Sequence, residues 1–431
     1  MRVLFLTVAN KSHTYVMAPL AWALRTAGHE VCVVSQPDLV EDITATGLTG
    51  VAVGGLQEAE VTAQMNEADP TQAVAAEPVS GPIVRQHQLD YARDDPAGEF
   101  ASLVANLFPV INPDTMFDDL VGFARDWEPD LVIWDMLTYA GPVAARAAGA
   151  AHARLVLATD GVGQLRSHVL ERYRETGEDP LRDWLRPKLD RYDCTFGEDI
   201  AVGDWTIDPM PSWTWHPSGV NYVPMRHLAF NGPSMAPRWL YEKPERPRVC
   251  ITLGNSHRDA GRVEASANAL IEAVADLDVE VVATLDPKQL VALPSLPANL
   301  RAIPFVPLNV LLPSCSAIIH HGGAGTFAGA VEHGVPQLLV PSTWWSEKWY
   351  GPVAMANGLE EQKAGAYVCD SDQLSADVLR DALVRVLEDP QFTVNAERLR
   401  KETLAMPTPN DIVPVLEKLT LQYRAAEKPR R

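Results

Sequence analysis

Residues 3–8 form an apolar run without polar alternation, the pattern of a strand buried on both faces. A polar turn at 10–14 follows. Met17, Leu20, Ala21 and Leu24 then recur at helical spacing until Gly28 ends the helix. Residues 31–34 are a second apolar run, so the first stretch reads as a βαβ unit of the usual ~30 residues. Further strands are expected at 131–134 and 154–157, with helix at 144–148 between them. Residues 160–200 read as helical, interrupted by Pro180 and Pro187. Strand-like runs resume at 249–253, 279–283, 300–303, 317–319 and 337–340, with helices between them, one at 265–275. An amphipathic helix at 412–421 and a basic tail, Lys428-Pro429-Arg430-Arg431, end the chain.

This pattern predicts an α/β fold of two Rossmann-like parallel-sheet domains facing a cleft. The first is expected over 1–220. It carries an irregular excursion at 55–115 that holds Pro70, Pro78, Pro82 and Pro96. The stretch 209–247 is proline-dense, and the linker is placed at 221–247. The second domain is expected over 248–405, with the terminal helix and tail in 406–431. At 431 residues the chain exceeds one ordinary core. Ligands of such sheets bind beyond the carboxyl ends of the strands, where the polar turns discussed below fall.

Composition narrows the function classes. A content of 47% hydrophobic and 21% charged residues is that of a soluble globular protein. A net charge of −20 argues against nucleic acid or an anionic membrane as a partner. Cys32, Cys194, Cys250, Cys315 and Cys369 are scattered without metal spacing and read as reduced thiols of a cytoplasmic protein. No window reaches the ~20 apolar residues of a membrane span. The apolar start is too short for a signal peptide.

The densest chemical signal is His320-His321-Gly322-Gly323-Ala324-Gly325-Thr326. It follows the apolar 317–319 and precedes a helix-like stretch, the layout of a strand, a glycine-rich turn and a helix start. Such a turn aims free backbone N–H groups at an anion, and the helix N-terminus adds partial positive charge. Glycines let a diphosphate approach the backbone, and a flanking imidazole can donate one more hydrogen bond. The competing reading is a tight turn with no ligand.

Further motifs support a resemblance. Met1-Arg2-Val3-Leu4-Phe5, Lys11-Ser12-His13, Ala18-Pro19-Leu20-Ala21-Trp22-Ala23-Leu24 and Ala27-Gly28-His29-Glu30-Val31 open the chain. Gln36-Pro37, Gly47-Leu48-Thr49, Ile207-Asp208-Pro209, Asn231-Gly232-Pro233-Ser234 and Gly334-Val335-Pro336-Gln337 follow. Over nearly its whole length the chain resembles actinobacterial antibiotic glycosyltransferases that attach deoxysugars to macrolide and aromatic polyketide aglycones. The resemblance implies a glycosyltransferase-B fold, an acceptor in the first domain and a nucleotide sugar in the second. It also implies inversion at the anomeric carbon, no metal, and a terminal helix that crosses back to the first domain.

It implies site residues as well. His13, in the turn after the first strand, becomes the base that takes the acceptor hydroxyl proton, a task suited to imidazole near neutral pH. The plainer reading of His13 is surface capping. Asp135, at the end of the strand 131–134, becomes the acid that orients it. It reads equally as an N-cap for a helix at 137–148. The diphosphate falls to His320, Gly322, Gly323, Ala324, Gly325 and Thr326, with His320 favoured over His321. Gly254 and Asn255 face it from another strand end, and Phe305 and Val306 fit the pyrimidine loop. Ala328 stands where relatives using ribonucleotides carry a glutamate for ribose hydroxyls, which favours a dTDP-sugar. Trp345 and Glu347 stand near the place of the sugar-gripping acid, and an aromatic wall suits a deoxygenated sugar. Met65, Phe108, Trp134, Met136 and Tyr139 are the acceptor candidates, with Met116, Phe117 and Trp215 beside them.

The expectation is therefore an inverting, metal-independent hexosyltransferase without a cofactor, taking a dTDP-deoxysugar and a hydrophobic polyketide-like acceptor. An auxiliary activator protein and a homodimer are left open. Asp370-Ser371-Asp372 matches a metal-binding pattern but reads better as capping, and Gly323-x-Gly325-x-x-Ala328 fits a dinucleotide fingerprint without its acid. The alternatives are a sugar-nucleotide epimerase and a non-catalytic sugar-nucleotide-binding partner.

Overall fold

Strand β1, Arg2–Leu6, sends Val3 and Phe5 to one face of its sheet and Leu4 and Leu6 to the other, and each pair enters a separate buried cluster. In β2, Glu30–Ser35, Val31 and Val33 part from Cys32 and Val34 in the same way. In β4, Leu131–Asp135, Leu131 and Ile133 part from Val132 and Trp134. Cover on both faces is why these strands read as unbroken apolar runs.

The computed structural model describes residues 1–56, 95–252, 267–285, 296–341 and 351–425. In it these strands join β3 (Gly50–Ala52), β5 (Ala151–Leu155), β6 (Trp205–Asp208) and β7 (Tyr222–Pro224). The result is a seven-stranded parallel sheet of order β3-β2-β1-β4-β5-β6-β7. A second parallel sheet, order β10-β9-β8-β11-β12-β13, is built from β8 (Arg248–Thr252), β9 (Glu280–Thr284), β10 (Leu300–Ile303), β11 (Cys315–His320), β12 (Gln337–Leu339) and β13 (Gly365–Tyr367). The strand order reverses between β1 and β4 in the first sheet and between β8 and β11 in the second. Crevices for ligands open at the carboxyl ends of such reversals. The first turn of the helix after β1 carries His13, β4 ends on Asp135, and β11 ends on His320.

Several elements differ from the pattern reading. β5 starts and ends earlier than 154–157, because Val156 and Leu157 are buried without being paired as a strand. The short strands β3 and β6 carry no long apolar run. β7 lies inside the stretch read as linker from 221 and extends the first sheet. Within the excursion, Pro96–Ser102 and Phe108–Ile111 are helices whose Phe100, Phe108 and Ile111 enter the first lobe's core. Met65, Gly254, Asn255, Trp345, Glu347 and the basic tail lie outside the described residues.

The helix Pro409–Ala425 follows the second sheet in sequence but packs on the first lobe. Ile412, Val413 and Leu416 enter the cluster that holds Val3, Phe5 and Leu20. Tyr423 packs on Trp205 with ring centres 5.5 Å apart, and Arg424 pairs with Asp130. No helix among the described residues is long and apolar enough to cross a membrane.

Candidate active site

The first half of the site is set by one capped turn. Asn10 precedes the helix Lys11–Thr26, and its side chain accepts hydrogen bonds from the Ser12 backbone N–H (2.9 Å) and the Ser12 hydroxyl (2.7 Å). Asn10 is a preferred capping residue because its carbonyl oxygen reaches these orphan donors. The cap fixes His13 in the first helical turn, beside the end of β4. There His13 Nδ1 meets Asp135 Oδ2 at 2.5 Å. The Asp135 side chain is 0% exposed and that of His13 is 23% exposed. The other carboxylate oxygen of Asp135 accepts from the Leu137 backbone N–H at 3.0 Å.

An ionised carboxylate only accepts hydrogen bonds, so Nδ1 of His13 carries the proton and Nε2 keeps its lone pair. Nε2 is thereby left as the accepting nitrogen of the ring. Asp135 does not cap a helix at 137–148. The helix there is Ala140–Ala148, with Tyr139 at its cap, and Asp135 ties down the intervening turn instead. Lys11 points away from this pair and bonds Asp42 at 2.7 Å.

The second half is the turn after β11. Gly322 has a φ of 88°, which disfavours any side chain, and a Cβ there would sit 2.7 Å from Pro352 Cβ. Gly323 occupies the cap of the helix Ala324–Glu332 and supplies no side-chain bond. The first intrahelical partner of the Gly323 carbonyl is the Phe327 N–H. The N–H groups of Ala324, Gly325 and Thr326 thus have no intrahelical partner, and Gly325 is exposed. Amides so placed at a helix N-terminus can receive an anion.

The two histidines divide their roles differently from the expectation. His320 is buried, its Nε2 lies 2.9 Å from Gln337 Oε1, and its Nδ1 accepts from the Gly322 N–H at 3.1 Å. Both ring nitrogens are committed inside the protein, and burial pushes the imidazole down to about 4. It is a neutral ring. His321 is the imidazole against the turn, because a Cβ on Gly323 would meet His321 Nε2 at 2.9 Å. In the second sheet's other loop, Phe305 is 45% exposed, while Val306 is buried in the core beside Cys250 and Leu311.

The halves meet along one seam. A Cβ on Gly351, which opens the second-lobe helix Gly351–Glu361, would lie 3.2 Å from Thr159 Oγ1 in the loop after β5. Pro352, next in that helix, backs Gly322. β5 in turn pairs with β4, whose Asp135 holds His13. The helix after β12 therefore touches the loop beyond the carboxyl end of β5, one strand from Asp135. Thr159 itself is buried, and its hydroxyl has no hydrogen-bond partner among the described residues. Sequence reasoning missed it, and its place after a buried strand was the one available signal. Met210 and Trp213 reach across to Phe327, and Trp215 packs on Ala354 rather than toward an acceptor.

The acceptor candidates fare differently. Phe108, Trp134 and Tyr139 are wholly buried, with Tyr139 ring centres 4.7 Å from Phe108 and 5.7 Å from Trp134. They form the first lobe's aromatic core and present no surface to a ligand, as do Met116 and Phe117. Met136, just past β4, keeps 8% of its surface exposed.

Comparison with known proteins fits this geometry. The family model described as "Erythromycin biosynthesis protein CIII-like, N-terminal domain" matches residues 22–254, and its C-terminal counterpart matches residues 268–419. The chain belongs to this glycosyltransferase family. This glycosyltransferase is 48% identical to aclacinomycin-T 2-deoxy-L-fucose transferase of Streptomyces galilaeus, over 98% of this chain and 97% of that one. It is 45% identical to 10-deoxymethynolide desosaminyltransferase of Streptomyces venezuelae, over 98% of each. Its fold superposes on that of the glycosyltransferase VinC, solved in complex with dTDP, with a TM-score of 0.82 and 40% identity over 98% of this chain and 100% of that one. The two-sheet architecture is thus the glycosyltransferase-B arrangement.

Two clusters of the enzyme resemble metal ligands. His152, Asp199 and Asp204 lie within 4.8 Å of one another. Arg146 already pairs with Asp199, the Trp134 indole N–H donates to His152 Nδ1, and the His152 backbone N–H donates to Asp204. These side chains are already engaged with protein partners in a hydrogen-bonded network. Asp370 accepts from the Tyr367 hydroxyl at 2.7 Å, at the entry of the short helix Ser371–Gln373.

Proposed function

We propose that the enzyme is an inverting transferase that moves a deoxysugar from a dTDP-sugar to a hydroxyl of a polyketide-type acceptor. The reading rests on the His13–Asp135 pair at the carboxyl end of the first sheet, together with the first-turn amides of Ala324, Gly325 and Thr326 at the carboxyl end of the second. His13 Nε2 takes the proton of the acceptor hydroxyl as that oxygen attacks the anomeric carbon. The bond from that carbon to the diphosphate oxygen breaks on the opposite face, which inverts the centre. The departing dTDP keeps the bonding electron pair, and its charge is met by the helix amides and the helix dipole. Phe305 offers an exposed ring for the pyrimidine. The amides neutralise the leaving group without a divalent ion, and the proposal includes metal-independent transfer.

The relatives named above carry deoxysugars in their names, and VinC was solved with dTDP, which supports the donor class. Mass spectrometry of products from mixed dTDP-sugars and polyketide aglycones tests the proposal. His13→Ala should lower kcat about a hundred- to ten-thousandfold and leave dTDP affinity near that of the wild type. Undiminished transfer in that variant would remove His13 as the base. Loss of dTDP affinity from it would place the donor differently.

A further inference from the structure

The imidazole that ends β11 is enclosed, bonded at both nitrogens and placed directly behind the glycine turn. An ionised or phosphate-facing ring would need an open N–H. This ring has none to offer, because Nε2 is engaged by Gln337 Oε1 at 2.9 Å and Nδ1 by the Gly322 N–H at 3.1 Å. An amide oxygen only accepts, so Nε2 must carry the hydrogen. A backbone N–H only donates, so Nδ1 must be bare. The two partners fix one tautomer of His320 between them. Burial disfavours the doubly protonated ring, in agreement with this assignment.

Gln337 is the first residue of β12, paired beside β11, and is itself buried. It reaches the turn through a neighbouring strand, which is stiffer than a loop. Gly322 needs its left-handed backbone and sits against Pro352, so the turn has two constraints already. The bond from its N–H to His320 is the third, and it sets the direction of the peptide that leads into the anion-binding amides.

We propose that His320 and Gln337 are positioning residues: a β12 amide holds one imidazole tautomer, and that imidazole holds the Gly322 peptide, so that the amides of Ala324, Gly325 and Thr326 converge on a diphosphate. The imidazole touches the peptide and not the phosphate. The inference rests on the proposed diphosphate site and narrows it, since it removes His320 and the Gly322 N–H from the ligand set and adds Gln337 behind it.

Nitrogen-15 spectra of the histidine-labelled full-length enzyme test the first step directly. His320 should show a protonated Nε2 and a bare Nδ1, unchanged when dTDP is added. A change of tautomer, or a phosphate-bonded shift on adding dTDP, would overturn the proposal. Two variants test the second step by calorimetric titration with dTDP. Gln337→Met leaves the Nε2–H without an acceptor in a buried place and should raise the dTDP Kd about tenfold, with acceptor KM unchanged. Gln337→Glu keeps an acceptor and should bind dTDP almost normally at pH 8.5. Toward pH 6 its carboxylate favours the doubly protonated ring, whose Nδ1–H opposes the Gly322 N–H, so the ratio of its Kd to the wild-type Kd should climb. Wild-type affinity in Gln337→Met, or a pH-independent ratio in Gln337→Glu, would overturn the proposal. If Gln337→Met does not fold, the wild-type spectra and Gln337→Glu still decide. Failure of the wild type to bind dTDP at all would instead sink the proposed donor site, leaving the tautomer result standing.

Discussion

At the residue scale, the arrangement of Asp135 carries a direct kinetic consequence. Its two oxygens do different work: one receives the His13 Nδ1–H and the other the Leu137 N–H. Asp135→Asn preserves the size of the side chain. Its amide group would then donate to Nδ1 and move the imidazole hydrogen to Nε2, the atom proposed to accept the acceptor's proton. Steady-state kinetics should show kcat lower by about a hundred- to ten-thousandfold with little change in dTDP binding. A variant of near wild-type kcat would deny the acid its orienting role. His320 shows the same logic in reverse, since its hydrogen is fixed on Nε2 by Gln337 and its other nitrogen faces a backbone donor. Two histidines of one enzyme are thereby set to opposite tautomers by what stands beside them.

At the element scale, the turn into the helix Ala324–Glu332 depends on Gly322. Gly322→Ala would force a side chain into a left-handed backbone and against Pro352. The backbone strain alone is about 1–3 kcal/mol. Thermal denaturation should register that loss, and donor KM should rise because the amides lose their aim. This element was legible in the sequence, because an apolar strand followed by closely spaced glycines has few other uses. β1, β2 and β4 were legible for a related reason, since cover on both faces leaves an uninterrupted apolar signature. β3 and β7 were not, because three-residue strands at the sheet edge bury too little to mark themselves. His13 and Asp135 were found through a resemblance at the motif level, and their bond is a tertiary fact that no spacing encodes. Phe108, Trp134 and Tyr139 misled because a large aromatic near a strand end looks alike from sequence whether it lines a pocket or fills a core. Thr159 and Gln337 escaped notice because their importance lies only in what the fold brings beside them.

At the scale of the whole molecule, the lobes are joined by side chains from the segment after β6 and by a returning helix. His216 sits at the root of the first join. Its Nε2 lies 2.5 Å from Asp208 Oδ2, its Nδ1 lies 2.7 Å from the Thr214 carbonyl, and Tyr222 packs edge-on against it. Burial opposes charge on this ring, but the Asp208 bond and charge, with the Thr214 carbonyl, raise it above its ordinary value. A raised value in the folded state means the contribution is complete below about 6.5, the unfolded value. It fades as pH rises through the folded value. Melting temperatures of the wild type and His216→Gln, compared from pH 5.5 to 9, should therefore differ most at the acidic end and converge at the alkaline end. A constant gap would refute the ionic contribution. The second join is tested by Leu416→Ala. Leu416 is fully buried among first-lobe residues, so truncation should cost ~2–5 kcal/mol in denaturant unfolding.

The placement of that last helix has a further outcome during synthesis. Ile412 and Leu416 complete the same cluster as Val3 and Phe5, although about four hundred residues of translation separate them. A nascent chain that has emerged as far as Leu404 already contains every strand of both sheets, yet the cover on one side of the first sheet still lacks Ile412, Val413 and Leu416. The half of the enzyme made first is therefore finished last. Chimeras that exchange halves between relatives should keep residues 409–425 with the amino-terminal half they cover.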